Sequence, residues 1–236
     1  MNNASLSQLK SDKIKKGDGI FVLNQKELDN LNLSKSEREL IKPYFTSEEL
    51  TKYSTVKENS KWIIYTNSQF KNTKSIEKYP NIKKHLDKFK DIITSDNKPY
   101  GLHRAREQRF FTDEKIMSLR KCKEPTFTLT EGECYVSQSY FIIKTKRVSL
   151  KYLTAFLNSN IIKFWLLFKG KMQGQNYQID KVPLLNIPIC ISEFESEIIE
   201  MFNDIENNTH KVNKLLYKTY GFTTEEVDLL EKHLLK

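Results

Sequence analysis

"PTFTLTEGECYVSQSYFIIKTK", residues 125–146, decides the fold class. Phe127 and Leu129 alternate with threonines, Gly132 turns the chain, and "SYFIIK" supplies a further apolar strand, so the stretch reads as a β-meander. Directly after it, "SLKYLTAFLNSNIIKFWLLF" (149–168) changes to helical spacing, with two runs interrupted at "NSN". Phe156, Leu157, Ile161, Phe164, Trp165 and Phe168 form its apolar stripe and are assigned to core. Strands followed by helices predict an α+β fold, a mixed β-sheet with flanking helices.

Working toward the C-terminus, "GKMQGQNYQI" (170–179) reads as a polar, glycine-bearing loop, and "VPLLNIPIC" (182–190) is apolar and proline-punctuated. Residues 192–221 and 223–234 then read as helices separated by Gly221, the second capped by Thr224. They form a closing helical segment. Toward the N-terminus, "KWIIYT" (61–66) and "GIFVLN" (19–24) read as strands, with Gly17 and Gly19 opening a turn before the latter. In "LSKSERELIKPYF" (33–45), Ser34 or Ser36 caps a short helix that Pro43 stops. Residues 75–93 carry Ile82, Leu86, Phe89 and Ile93 at helical spacing, with Pro80 in the first turn. The expected organisation is a loose arm at 1–16, a main domain at 17–190 and an acidic helical tail at 191–236 that packs on the domain or docks a partner.

Charge is unevenly spread along the chain. Residues 1–125 hold 26 basic and 17 acidic side chains, residues 126–190 hold 8 and 3, and residues 191–236 hold 5 and 10. A polyanion would therefore meet the first 190 residues, and the tail would be repelled from phosphates. Cys122, Cys134 and Cys190 form no CxxC pair, and the four histidines stand near none of them in zinc spacing. A reducing cytoplasm fits that usage. "MNNASLSQLKSDK" is not a signal peptide, and the most apolar stretch, 150–168, carries Lys151, Asn158, Asn160 and Lys163, so no membrane span is expected.

Catalytic motifs are missing. No glycine-rich turn follows a strand, since Gly17-Asp18-Gly19 precedes one; no Pro-Pro pair exists for an Asn/Asp-Pro-Pro-aromatic loop, and there is no GK[ST] phosphate loop. Asp87 or Asp91 with Asp96-Asn97-Lys98 could be drawn as a metal-dependent nuclease triplet, but such triplets arise by chance among this many lysines and acids. A binding module is favoured over a catalyst.

"GLHRAREQRFF" (101–111) carries three of the six arginines in a chain that otherwise uses lysine. Arginine's planar fork grips a phosphate or the O6/N7 edge of guanine at two points, which lysine cannot do. Arg104, Arg106 and Arg109 are therefore candidate DNA contacts, with Arg104 and Arg106 on one side if the backbone is extended and Phe110 and Phe111 as the start of an apolar anchor. Alternatively the arginines pair with Glu107, Asp113 and Glu114 on a solvated surface. In Lys171-Met172-Gln173-Gly174-Gln175-Asn176-Tyr177, the amides could present donor and acceptor to adenine, or the segment is a plain polar turn.

Five motifs in order, "LHRAREQRFFTDEKIMSLR", "CYVSQSYFIIK", "LKYLTAFLNSNIIKFW", "GKMQGQNYQIDKVPLLNIPI" and "LLYKTYGFTTEEVDLLEKHL", resemble the TaqI-like C-terminal specificity domain, the target recognition domain of adenine-specific DNA methyltransferases and type IIG restriction–modification enzymes. The resemblance implies that 17–190 is a target recognition domain that reads double-stranded DNA in the major groove, without catalysis or cofactor of its own, and that Lys115, with Arg104, Arg106 and Arg109 in the basic motif, contacts phosphates or guanine. It further implies a catalytic part, in cis or in trans, that binds S-adenosylmethionine, with magnesium as an additional requirement to consider, and that methylates adenine. That part is lacking here. A protein-docking or oligomerisation subunit of such a system is the alternative, followed by a self-sufficient metal-dependent nuclease.

Overall fold

The computed structural model describes residues 15, 17–56 and 58–235. The expected arm at 1–16 lies almost entirely outside them. In chain order the first elements are β1 (Val22–Asn24), α1 (Gln25–Asp29), α2 (Lys35–Arg38), β2 (Ile41–Tyr44), β3 (Tyr53–Ser54), β4 (Lys61–Ile64) and α3 (Pro80–Asp87). The strands β5 (Lys115–Leu119), β6 (Lys121–Cys122), β7 (Phe127–Thr130) and β8 (Tyr140–Ile143) follow. The chain continues through α4 (Leu150–Leu157), α5 (Asn160–Lys169), β9 (Lys171–Gln173), β10 (Asn176–Gln178), α6 (Lys181–Leu185), α7 (Glu195–Glu200), α8 (Ile205–Thr219) and α9 (Thr224–Leu234). These α+β elements divide into two compact units. The first holds the described residues up to Thr46, residues 58–112 and Glu133–Val136; the second holds Ser47–Val56, Asp113–Gly132 and residues 137–235. The 17–190 stretch expected as one domain is thus shared between both.

In the first unit an antiparallel sheet is ordered β1-β4-β2. Ile20, Phe21, Ile64, Ile76, Ile82 and Leu86 fill its core, each burial worth about 1.5–3 kcal/mol. Ser34 caps α2, as its position before the apolar run suggested, and Glu37 completes the capping box. Glu37 does more than that. Fully buried, its carboxylate also accepts from the backbone N–H groups of Asn81 (2.6 Å) and Ile82 (3.2 Å) and from the Asn81 side chain (2.9 Å), capping the first turn of α3 as well. Burial alone would raise the Glu37 pKa; hydrogen bonds from Asn81, Ser34 and Ile82 outweigh it and hold the carboxyl at about 2.

Two expectations change here. Pro43 does not stop a helix: α2 ends at Arg38, and Pro43 lies in β2 at the margin of the three-stranded sheet, where a missing N–H is tolerated. The helix expected over 75–93 is only Pro80–Asp87, because Pro80 sets the first helical position and disfavours helical geometry before it. Ile82, Leu86, Phe89 and Ile93 are nonetheless all buried.

The second unit contains a four-stranded sheet ordered β3-β7-β5-β8. Residues 125–146 are therefore not a meander: Gly132 does turn the chain, at φ +70°, but β7 and β8 pair antiparallel with opposite edges of β5 and not with each other. Phe127 through Thr130 are all buried, so the alternation expected there does not separate a wet face from a dry one. Against this sheet packs α4, and α5 follows it after a break at 158–159, as predicted. Asn158, buried at the end of α4, accepts from the Phe127 N–H (3.0 Å) and donates to the carbonyls of Phe127 (2.7 Å) and Thr154 (2.9 Å), joining helix to strand. Trp165 is packed, its indole N–H on the Pro183 carbonyl, whereas Phe168, expected in the core, is 55% exposed at the end of α5.

The acidic helices complete the same core. Ile198, Ile205, Val212 and Leu216 are buried in it, and Asn213 accepts from the Asn160 N–H (2.8 Å), fixing α8 to the start of α5. Gly221 turns the chain at φ +66° before α9, whose cap is Thr223, with Glu226 closing the box, one residue earlier than expected. A second small sheet, ordered β6-β10-β9, is built on the 170–179 stretch.

Candidate nucleic-acid interface

The arginine loop belongs to the first unit and is pinned at both ends. Leu102 donates its N–H to the Thr66 carbonyl (2.9 Å), and the Thr66 hydroxyl donates to the Tyr100 carbonyl (2.6 Å). Beyond the arginines, Phe111 is buried against Tyr65 and Tyr135, with ring centroids 5.7 and 4.5 Å away. Phe111 is thus the anchor expected of it, whereas Phe110, expected to anchor the loop as well, is exposed.

Between those anchors the Tyr65 hydroxyl donates to the Arg106 carbonyl. Burial pushes the Tyr65 phenol up to about 12 against the lowering effect of Arg106, so it remains a donor at neutral pH. Tyr65 is a positioning residue that no local pattern in the sequence marks, because its partner lies 41 positions away. Arg104 and Arg109 are exposed and Arg106 half-buried. Arg104 has φ +48°, in the left-handed region uncommon for residues other than glycine, so the extended geometry expected to align it with Arg106 does not hold. Arg109 grips Glu107 with two nitrogens, at 2.8 and 3.2 Å, and lies over the Phe110 ring. For Arg109 the ion-pair alternative is what the structure shows.

Lys115 leaves the set of candidate DNA contacts. It opens β5 in the second unit, is fully buried, and donates its ammonium to the carbonyls of Asp113 (2.8 Å) and Gly132 (2.7 Å). A buried cation must have such partners, and these hold the turn after β7 against the start of β5.

The amide segment, in the second unit, is a β-hairpin and not a loop. β9 and β10 pair antiparallel through Lys171↔Gln178, Met172↔Tyr177 and Gln173↔Asn176, joined by Gly174 (φ +63°) and Gln175. Glycine at the first position of a two-residue connection is what such a tight turn requires. Lys171, Gln173 and Gln175 are exposed and Asn176 half-exposed. Tyr177 is buried in the core of the unit and is withdrawn as a DNA contact. Lys171 pairs with Asp180 at 3.5 Å, and Gln178 donates to the same carboxylate (3.1 Å). The carboxyl of Asp180 is held below its ordinary value by the Gln178 amide and, more weakly, by Lys171 and Arg120.

The remaining chemistry is quickly placed. Asp87 accepts from the Tyr100 hydroxyl (2.6 Å) and Lys83 (3.1 Å), and among the described residues no group of three His, Cys, Asp or Glu side chains could hold a metal. At Gly19 the N–H donates to Glu27 (2.9 Å) and an added Cβ would meet the Val22 carbonyl at 2.4 Å, so the missing side chain serves the chain's own tight turn. No helix among the described residues is long and apolar enough to cross a membrane.

Fold and surface together define an α+β module with a buttressed basic loop and an amide-tipped hairpin. Residues 42–189 match the TaqI-like C-terminal specificity domain, and the chain belongs to that family. It is 27% identical over 176 residues to the type II methyltransferase M.HincII of Haemophilus influenzae, covering 67% of this chain and 35% of that protein. To the type II methyltransferase M.HindII of Haemophilus influenzae strain KW20 it is 27% identical over 177 residues, covering 67% and 34%. The chain thus spans about a third of these relatives. Among solved structures, the type IIL restriction–modification enzyme MmeI in complex with DNA is similar in fold, with a TM-score of 0.66 at 11% identity, over 90% of this chain and 33% of that one.

Proposed function

We propose that this chain is the DNA target recognition module of a restriction–modification system, conferring sequence specificity on an adenine-N6 methyltransferase or type IIG enzyme whose catalytic part lies outside it, in cis or in trans. The observation that carries this reading is the family match over 42–189, which includes both the arginine loop and the amide hairpin. Methyltransferases as relatives, matched over only a third of their length, support the division of labour: recognition here, cofactor binding and methyl transfer elsewhere. Restriction–modification acts on chromosomal and invading DNA, so the chain works in the cytoplasm. Arg104, held in a left-handed conformation by a loop tied down on both sides, is the kind of strained residue that marks ligand contacts.

Arg104→Ala and Arg106→Ala are expected to lower affinity for the preferred duplex by about 1–3 kcal/mol. A guanine contact relaxes preference at one position; a phosphate contact weakens every sequence alike and makes the salt dependence shallower. Titration of a labelled duplex library at several salt concentrations measures both. Unchanged affinity in both variants would remove the loop from the interface.

A docking role has one observation in its favour: Val182, Leu185, Ile189 and Ile191 are all exposed, next to the acidic helices. Deleting residues 192–236 is no test of it, because Ile198, Ile205, Val212 and Leu216 complete the core. Val182→Asp with Leu185→Asp is: a docking subunit loses its methyltransferase, and a DNA reader keeps its site preference.

A further inference from the structure

The β9–β10 hairpin carries a division of labour that its register makes explicit. Side chains on a strand alternate between faces, so Lys171 and Gln173 of β9 share a face with Asn176 and Gln178 of β10. The opposite face is fixed by Tyr177, buried in the core, with Met172 and Cys122 paired to it. Lys121 of β6 pairs with Gln178 and joins the outward face, giving a row Lys121, Gln178, Lys171 at the root and a pair Gln173, Asn176 at the tip. β6 covers only Tyr177 and Gln178, so at the tip the hairpin continues as two strands alone.

Resting on the target-recognition reading, we infer that this hairpin enters the major groove of duplex DNA tip first: Gln173 and Asn176 read a base edge, while Lys121 and Lys171 hold the phosphates flanking the groove. A two-stranded ribbon fits the major groove's width of about 12 Å, which a broader sheet would not. Glutamine and asparagine are the side chains that present donor and acceptor together to adenine N6/N7. Lysine, a compact charge on a flexible stem, suits the backbone. Lys121 and Lys171 are exposed, and the acid in contact with the root row, Asp180, is shared between Lys171 and Gln178. The same carboxylate accepts from the Gln178 Nε2 and so positions that side chain in the root row. Lys121 and Gln178 are thereby assigned to the interface beside the residues singled out from sequence.

The test uses the full 236-residue chain and selection from a random duplex library, followed by titration on the selected site. Gln173→Ala and Asn176→Ala are expected to weaken the selected site by tenfold or more and to relax preference at one and the same base position, with little change on unrelated duplexes. Lys121→Ala with Lys171→Ala is expected to weaken all duplexes by a similar factor and to reduce the salt slope by about two. Thermal melting confirms that these exposed substitutions leave the chain folded. If the wild-type chain selects a site and the amide variants keep its full preference, or lose affinity equally on every sequence, base reading by the hairpin is overturned while the recognition function stands. A lysine pair variant with an unaltered salt slope overturns the phosphate role. A wild-type chain that selects no site overturns the reading beneath both.

Discussion

Glu37→Ala is expected to destabilise the first unit by about 2–4 kcal/mol, the cost of leaving buried donors without an acceptor. Three backbone N–H groups, those of Ser34, Asn81 and Ile82, lose their partner at once, and two helix starts lose their cap together. In a unit of this size that corresponds to a melting temperature lower by on the order of 10 °C. Glu37→Gln, which keeps an acceptor but not the charge, should recover part of the loss. The pH dependence has a definite sign. Because the folded carboxyl is held at about 2 against an ordinary 4.5, its contribution is fully present above 4.5 and is lost as pH falls toward 2. Acid titration of the wild type should therefore show a loss in that window that Glu37→Gln lacks. A Glu37→Ala variant that melts within 1 °C of wild type would refute the shared cap.

Lys115 gives the second large effect. Lys115→Ala removes a fully buried side chain and two charge-assisted hydrogen bonds to the carbonyls of Asp113 and Gly132, at an expected cost of about 2–4 kcal/mol. Lys115→Met keeps most of the volume and should cost about half of that. Chemical denaturation reads the loss. On the folded protein, DNA affinity and salt slope should stay as in wild type, which separates Lys115 from the exposed cations. A stable Lys115→Met protein with a shallower salt slope would return Lys115 to the DNA surface.

The contrast between those two residues shows what can be read from a chain. Ser34 before an apolar run, with Glu37 three residues on, announces a capping box locally, and the break between α4 and α5 is written in "NSN". Glu37's second role depends on Asn81 and Ile82, more than forty positions away, and nothing local signals it. β5 fits between β7 and β8 for the same kind of reason: strand order is settled by non-local pairing, which a local pattern of successive strands does not carry. "KIMSL" offered one hint, since a lysine in register with Met117 on a buried strand must point inward. The candidate site divides likewise. Side-chain chemistry alone singles out Gln173 and Gln175, which are exposed; Tyr177 in the same segment points inward because the hairpin's pairing alternates its side chains, and Gly174-Gln175 between two short polar strands gives only a weak local signal of that pairing.

Whether the chain reads sequence is decided by selection of a random duplex library on the purified protein, repeated at low and near-physiological salt. One short sequence should be enriched, bound at least a thousandfold more tightly than unrelated duplex when salt is near physiological, on the order of what specific DNA readers achieve. Enrichment of no sequence, with binding that simply fades as salt rises, would contradict sequence reading.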